Sequence, residues 1–398
     1  MSGIDELKRR ACERIDSIAD ELVRISHEIH ARPELGHEEV FASELLARSA
    51  ASHGLPVELG TFGCPTGFAG EVGNGPTVAV MSEYDALPEI GHGCGHNVIA
   101  AAGLGAAVGL AAVAADAGGR VRYLGTPAEE GGGGKLVMAT NGALEGVDAA
   151  MMVHGADADL TEIDAIALQQ LIVEYSGEAA HAAAAPQKGR NALDAAVLGY
   201  MAVGALRQHI LPTERVHGIF LTAGDKPNIV PREASSMWYV RSDTIGTLQA
   251  LKPRVLAALE SGAHATGCTC AHRWVGTPYA DMVTNNALSA LYTANAATTG
   301  RTIAIPGTGG QRVVGSTDMG NVSHLVPSIH PMIAAAPMGT AIHTEAFTAR
   351  AVEPMADRAI LDGAKSMAMT AIDFWTRADV REAVRREFEE SNTDKDVL

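Results

Sequence analysis

The sequence predicts an α/β protein: a mixed, largely parallel sheet flanked by helices, with a ferredoxin-like α+β domain inserted into it. Three observations carry this. Apolar runs of strand length at 78–81, 121–124 and 148–153 alternate with helical patterns, as the strand–helix–strand units of a parallel sheet do. From about Ala165 the order becomes strand, helix, strand, strand, helix, strand, which describes a ferredoxin-like unit. Near Val283 the first pattern resumes, so the expected boundaries are 1–165 with 282–398 for one domain and 166–281 for the insert.

Taken in order, residues from about Ile4 to His53 read as amphipathic helix, with Leu7, Ile15, Ile18, Leu22, Ile25 and Ile29 at helical spacing and a break at Arg32-Pro33. GFAGEVGNG from Gly67 reads as strand and turn, and the strand Val78–Met81 runs into the loop Ser82 to Ala100, SEYDALPEIGHGCGHNVIA. An Ala/Gly-rich helix follows Asn97. Then come the strand Val121–Leu124, the segment GTPAEEGGGGK, a helix near Lys135 to Thr140, and an apolar strand ending at His154. In the insert, ALQQLIVEYSG, IFLTAG, ASSMWYVRS and CTCAHRWVG read as strands, and Asn191–Gln208 and Thr247–Ala263 as helices. Asp373 to Asn392 reads as a charged amphipathic helix before a frayed TDKDVL end.

Composition narrows the function. A formal net charge of −17 argues against a nucleic-acid surface, which needs clustered Lys and Arg. Five cysteines without a regular framework fit a reducing compartment. The first residues are charged throughout and lack an apolar signal region, so a cytoplasmic protein is expected. The uncharged run Asn97 to Ala115 is built mainly from Ala and Gly, which suits a helix buried against a sheet better than a membrane span.

The chemistry-bearing residues gather at strand ends, where α/β sheets place their sites. Asp85, Cys94 and His96 lie in the first loop, Glu129 and Glu130 follow the next strand, and His154 ends the third. Cys, His and carboxylate are the ligand types of a zinc-like ion. Of two adjacent acids, one can hold a cation while the other serves as general base toward water. His343, in MGTAIHTEAF, adds a remote donor. Together Cys94, His96, Glu130, His154 and His343 suffice for two divalent ions, and such a pair is suited to hydrolysis.

Two other motifs fail. His27-Glu28-Ile29-His30 lacks the two-residue gap of the zinc-protease helix, and these histidines read as helix surface or pocket wall. A phosphate loop ending at Lys135 would need Gly where Glu129 stands and Ser or Thr where Leu136 stands.

Six separated strings, SEYDALPEIGHGCGHN, GTPAEEGGGG, GEAAHAAAAPQKGRNALDA, KPNIVPREAS, GSTDMGNVSH and IHTEAF, run through nearly the whole chain. They resemble the aminoacylase and glutamate-carboxypeptidase superfamily of dinuclear metallopeptidases. The nearest likeness is to its amidohydrolase branch, with aminobenzoyl-glutamate hydrolases and peptidase domain-containing dipeptidases of the beta-alanyl-lysine type.

The resemblance implies a zinc-exopeptidase-like catalytic domain with an inserted lid and dimerisation domain. It implies two divalent metals on Cys94, His96, Glu130, His154 and His343, with His96 where other branches bridge with Asp, and Glu129 as general base. Zinc suits thiolate and imidazole ligands; manganese, cobalt or nickel also suit the mixed set. His181 would reach a partner's site and stabilise the oxyanion, which implies a homodimer. Asn228 and Arg241 would hold the substrate's carboxylate or carbonyl, and Asp318 would line the pocket.

The chain departs from the family it resembles at Met81-Ser82-Glu83-Tyr84-Asp85. Many members carry His-x-Asp there, and this branch Arg-Ala-Asp-Met-Asp, so the Asp that usually supports the metal ligands from behind appears as Glu83, with Asp85 the other claimant to that role. The expected activity is metal-dependent hydrolysis of the amide in an N-acyl amino acid, an aminobenzoyl-glutamate-like compound or a small dipeptide. No nucleic acid or membrane is expected as a partner. The alternative is a catalytically inactive binding protein on the same scaffold.

Overall fold

The computed structural model describes residues 3–308, 314–391, 393–394 and 397–398. They form two compact units, one built from residues up to Ala165 and from Met282 to near the end of the chain, the other from Ile166 to Asp281 together with Val397.

The first unit is organised by a six-stranded sheet in the spatial order Glu58–Leu59, Phe68–Gly73, Arg120–Gly125, Thr77–Ser82, Ala149–Met151, Ser328–Ile329. The last four run parallel, in register Val78 with Val121 and with Ala149; the first two are antiparallel additions. Every residue of Thr77–Ser82 is buried, the expected state of a strand covered by helices on both faces.

From Thr77–Ser82 the chain crosses to Arg120–Gly125 on one side and then to Ala149–Met151 on the other. That reversal opens a crevice beyond the carboxyl ends of these strands. Three of the predicted chemical loops leave from those ends. His154–Ala156 pairs in parallel with Met332–Ala334 and extends the same region.

Helix His96–Ala111 is buried from His96 to Leu110, which explains its Ala/Gly composition. A Cβ at Gly103 would stand 2.3 Å from Ser82 Oγ, so only glycine lets the helix approach the sheet this closely. Ile15, Leu22, Ile25 and Ile29 are fully buried in the same core, each stabilising it by roughly 1.5–3 kcal/mol. Among the described residues no helix is long and apolar enough to cross a membrane.

The amino-terminal helix breaks where expected, at Arg32-Pro33, and once more before it. It divides into Gly3–Asp16, Ala19–His30 and Val40–Ser52. The first break falls where the Ser17 hydroxyl donates to the Arg14 carbonyl at 2.6 Å, a local bond that competes with helix continuation. The C-terminal helix is also divided, into Pro354–Thr376 and Ala378–Glu390, because Arg377 takes extended backbone angles. Asn392, the expected end of that helix, lies outside the described residues.

The second unit is a four-stranded antiparallel sheet in the order Thr269–Tyr279, Ala167–Ser176, Glu233–Ser242, Arg215–Thr222, with helices Ala192–Leu206 and Ile245–Thr266. This is the ferredoxin-like arrangement. Its helices start where the sequence carries caps: the Asn191 side chain accepts from Leu193 N and Asp194 N, and Thr244 forms a reciprocal capping box with Thr247. Arg215–Thr222 is an edge strand with Ile219 and Leu221 exposed, and Met201 of the neighbouring helix is 65 % exposed.

Candidate metal centre

Beyond Ser82 the chain turns into a loop in which Glu83, Tyr84 and Asp85 are all buried. The Tyr84 hydroxyl donates to the Thr66 carbonyl at 2.6 Å and anchors it. The loop ends at Gly95, whose φ of +76° is the left-handed conformation glycine adopts without strain. That turn sets Cys94 just before, and His96 at the first position of, the buried helix.

The neighbouring loop carries Ala128 at φ +57°, costly for a residue with a Cβ. Glu39 supports it: the Ala128 N–H donates to Glu39 Oε1 at 2.8 Å, and the Thr66 hydroxyl donates to Oε2 at 2.8 Å. The Ala128 carbonyl accepts from Gly132 N and Gly133 N. The result is a tight turn that presents Glu129 and Glu130. Gly134 closes it, because a Cβ there would lie 1.9 Å from the Pro127 carbonyl oxygen.

These elements bring together Cys94, His96, Glu129, Glu130, His154 and His343. Three overlapping sets have donor atoms mutually within 4.8 Å: Cys94, His96 and His154; Cys94, Glu130 and His343; His96, Glu129 and Glu130. Cys94 Sγ and His154 Nε2 lie 3.5 Å apart. A thiolate and an imidazole sharing one tetrahedral zinc ion are roughly 3.6 Å apart. His343 is half exposed, sits at φ +63°, and places Nε2 3.4 Å from Glu130 Oε1 while its N–H donates to the Gly93 carbonyl at 2.8 Å.

Two of the three candidate imidazoles, His96 and His154, are aimed by their other nitrogen. His96 Nδ1 faces the Asp85 carbonyl at 2.7 Å and Asp85 Oδ1 at 3.1 Å. His154 Nδ1 faces the Gly155 carbonyl at 2.7 Å. Both Nε2 atoms are thereby turned inward, as metal-binding histidines require. Asp85 also accepts the Glu130 N–H on Oδ2 at 3.0 Å, tying the two loops together.

A divalent cation fits this donor set. Glu83 Oε1, His96 Nε2 and Glu130 Oε1 are buried atoms without a hydrogen-bond partner, which a protein interior seldom tolerates. The electrostatics agree. Burial, and then the charges of Glu83 and Glu130, push the Glu129 carboxyl well above its usual range. Burial alone would depress His96, but the charges of Glu83 and Asp85 carry it well above its own. Burial lowers His154 and raises the Cys94 thiol. A cation would relieve the crowded carboxylates and release the thiol proton.

Behind the donors lies an ion group that sequence reasoning missed. Lys135 Nζ donates to Glu83 Oε2 and to Asp318 Oδ1, each at 2.6 Å, and Lys135 N donates to Asp318 Oδ2 at 3.0 Å. The side chains of all three are 0–1 % exposed. Asp318, expected to line a pocket, is fully buried with both oxygens on Lys135. Burial would raise Glu83, but the Lys135 ammonium and then His96 hold it down at about 2.

The remaining predicted residues belong to the second unit. His181 is exposed in a loop; its Nδ1 accepts from Ala183 N and Ala184 N, which leaves Nε2 as the protonated, donating nitrogen. Asn228 lies opposite, its carbonyl accepting from Ala182 N at 3.0 Å. Arg241, on Glu233–Ser242, stands 5.7 Å from the Tyr239 ring centroid. His27 and His30 make structural contacts, to Asp357 Oδ1 and the Thr348 carbonyl.

His330 also escaped the sequence reading. It packs edge-on to His154, ring centroids 5.4 Å apart. Burial first, and for His330 then the neighbouring His154, pushes both His92 and His330 down to about 3. Both are neutral in the folded chain, whereas unfolded histidine titrates near 6.5. Between about pH 6.5 and 3 the unfolded state binds the extra proton, so stability falls as pH falls. Each should contribute a slope of about 1.4 kcal/mol per pH unit. In urea unfolding of chelator-treated protein, His330→Gln should lose less stability than the unsubstituted chain between pH 7 and 5; equal losses would show that His330 is already protonated when folded.

Comparisons with known proteins bear on this geometry. The family model described as peptidase family M20/M25/M40 matches residues 79–371. The Xaa-Arg dipeptidase of Mus musculus is 40% identical over 405 residues, covering 97% of this chain and 93% of the relative. A p-aminobenzoyl-glutamate hydrolase subunit from Escherichia coli (strain K12) is 33% identical over 288 residues, 67% of this chain and 60% of the relative. Among solved structures, the YXEP protein of Bacillus subtilis, described as a dinuclear metal binding peptidase, superposes with a TM-score of 0.69 at 19% identity over 90% of this chain and 98% of its own.

Proposed function

We propose that this chain, which belongs to peptidase family M20/M25/M40 and is a metal-dependent hydrolase, cleaves the amide bond of a small dipeptide or N-acyl amino acid with two divalent cations. The observation that carries the reading is the convergence of thiol, imidazole and carboxylate donors, two of them, His96 and Glu130, with buried unpartnered atoms, at the switch point of the parallel sheet. Cys94, His96, Glu130, His154 and His343 hold the ions, and the thiolate and imidazoles favour zinc over manganese, cobalt or nickel. The cations supply Lewis acidity, lowering the pKa of water and offsetting negative charge on the carbonyl oxygen.

Glu129 is the base. Its Oε2 lies 4.0 Å from His96 Nε2, inside the cluster, and its raised proton affinity suits a group that must take a proton and give it back. It accepts the proton of the attacking water and delivers it to the leaving amine nitrogen. Asp85 keeps His96 in register through Nδ1.

His181 donates from Nε2 to the carbonyl oxygen of the substrate held by a partner subunit. Asn228 and Arg241 hold the substrate's carboxylate or carbonyl. The homodimer forms through the inserted domain, where the edge strand Arg215–Thr222 exposes Ile219 and Leu221, a surface that calls for cover. All five cysteines are free, which suits the cytoplasm.

Likeness over nearly the whole chain to an Xaa-Arg dipeptidase favours a dipeptide over an aminobenzoyl-glutamate-like compound. The purified protein should bind two equivalents of zinc and hydrolyse members of a panel of Xaa-Arg and Xaa-Lys dipeptides, aminobenzoyl-glutamate and N-acetyl amino acids. Prolonged chelation should remove activity, and added zinc should restore it. A chain that binds no metal and cleaves nothing in the panel would instead be a binding protein on this scaffold.

A further inference from the structure

The five expected donors leave one buried oxygen without a role. Glu83 is fully buried and splits its carboxylate between two surroundings. Oε2 accepts from Lys135 Nζ at 2.6 Å. Oε1 has no hydrogen-bond partner and points toward His96 Nε2, 3.3 Å away, which has none either. An oxygen and an imidazole nitrogen bound to one tetrahedral ion at about 2.0–2.2 Å are roughly 3.4 Å apart. The Glu129 and Glu130 oxygens are farther from the same nitrogen, at 4.0 and 3.9 Å.

Charge points the same way. The Glu83, Lys135 and Asp318 group carries two carboxylates and one ammonium, all buried, and so has an excess negative charge that a protein interior must neutralise. Lys135 is engaged with both acids. Asp318 turns both oxygens to Lys135, so the free oxygen of the group is Glu83 Oε1.

We propose that Glu83 is itself a metal ligand, its Oε1 joining His96 Nε2 on one ion, and that Lys135 is a positioning residue which holds the opposite oxygen and fixes the carboxylate's orientation. This rests on the two-metal reading above and adds a sixth protein donor, from the loop that follows Thr77–Ser82. One ion would then have a further anionic oxygen donor.

Wild-type crystals grown with zinc and measured at the zinc absorption edge test this directly. Glu83 Oε1 should lie within about 2.0–2.2 Å of the ion bound by His96; an ion on His96 with Glu83 outside that range overturns the proposal. In solution, Glu83→Gln should turn its carbonyl to Lys135 and an NH2, which cannot ligate, to the ion. Zinc competition against a chromophoric chelator should show one of two equivalents weakened by more than the roughly 10–100-fold that loss of a group merely supporting a ligand costs. The visible spectrum of the cobalt-loaded variant should change with the lost oxygen. Two equivalents bound by Glu83→Gln with unchanged affinity and unchanged cobalt spectrum would overturn Glu83 as a ligand while leaving the hydrolase reading intact. Wild-type protein that binds no zinc would overturn that reading itself. Should Glu83→Gln fail to fold, the wild-type crystal decides.

Discussion

Glu129→Gln should lower kcat on the order of 10³-fold while two equivalents of zinc stay bound, because a general base contributes roughly 10²–10⁴-fold. Glutamine keeps the size of the side chain and removes the group that takes the proton. The turn that presents it should survive, since it is set by the Ala128 N–H on Glu39 and by the Ala128 carbonyl, not by the Glu129 side chain. Metal content by atomic emission, beside turnover of the best dipeptide, checks both halves. Wild-type turnover in the variant would remove Glu129 from the reaction. Loss of a metal equivalent would make it a ligand instead.

Lys135→Met should cost about 3–5 kcal/mol of stability in the metal-free protein, the usual effect of breaking a buried ion pair by removing one partner. Methionine fills most of the volume, so the loss is electrostatic: Glu83 and Asp318 would remain buried with no cation between them. Adding Glu83→Gln and Asp318→Asn to the same chain should recover much of it, because the stranded charges are then gone. Urea unfolding of the single and triple variants measures this. A single variant within about 1 kcal/mol of wild type would show that water or a proton already compensates the pair.

The parts of the fold that were legible in the sequence are those with a period or a length. Strands such as Thr77–Ser82 announce themselves as short apolar runs, and the insert shows the strand and helix order of its class. Donor residues at strand ends were legible because parallel sheets put chemistry there. Helix Pro354–Thr376 was not, because sixteen of its residues are buried and a helix covered on most sides shows little polar face.

The break at Ser17 carries no proline or glycine to mark it. In the sequence Lys135 stands out only as the end of a failed phosphate loop; its partners lie 52 and 183 residues away, and no local pattern encodes such a pairing. His330 likewise becomes notable only when the fold sets its ring against His154.

The insert leaves the first unit after Ala165 and rejoins it at Met282, where Met282 N donates to the Ala165 carbonyl at 3.3 Å. A segment of over a hundred residues is thus attached at two points a single hydrogen bond apart, and its length adds little closure entropy to the sheet that carries it. Every proposed metal donor lies on the other side of that junction, before Ala165 or after Met282. Heredity can therefore rewrite one part without rewriting the other. Changes of length between Ile166 and Asp281 can be absorbed at that junction without shifting the strands that present the donors.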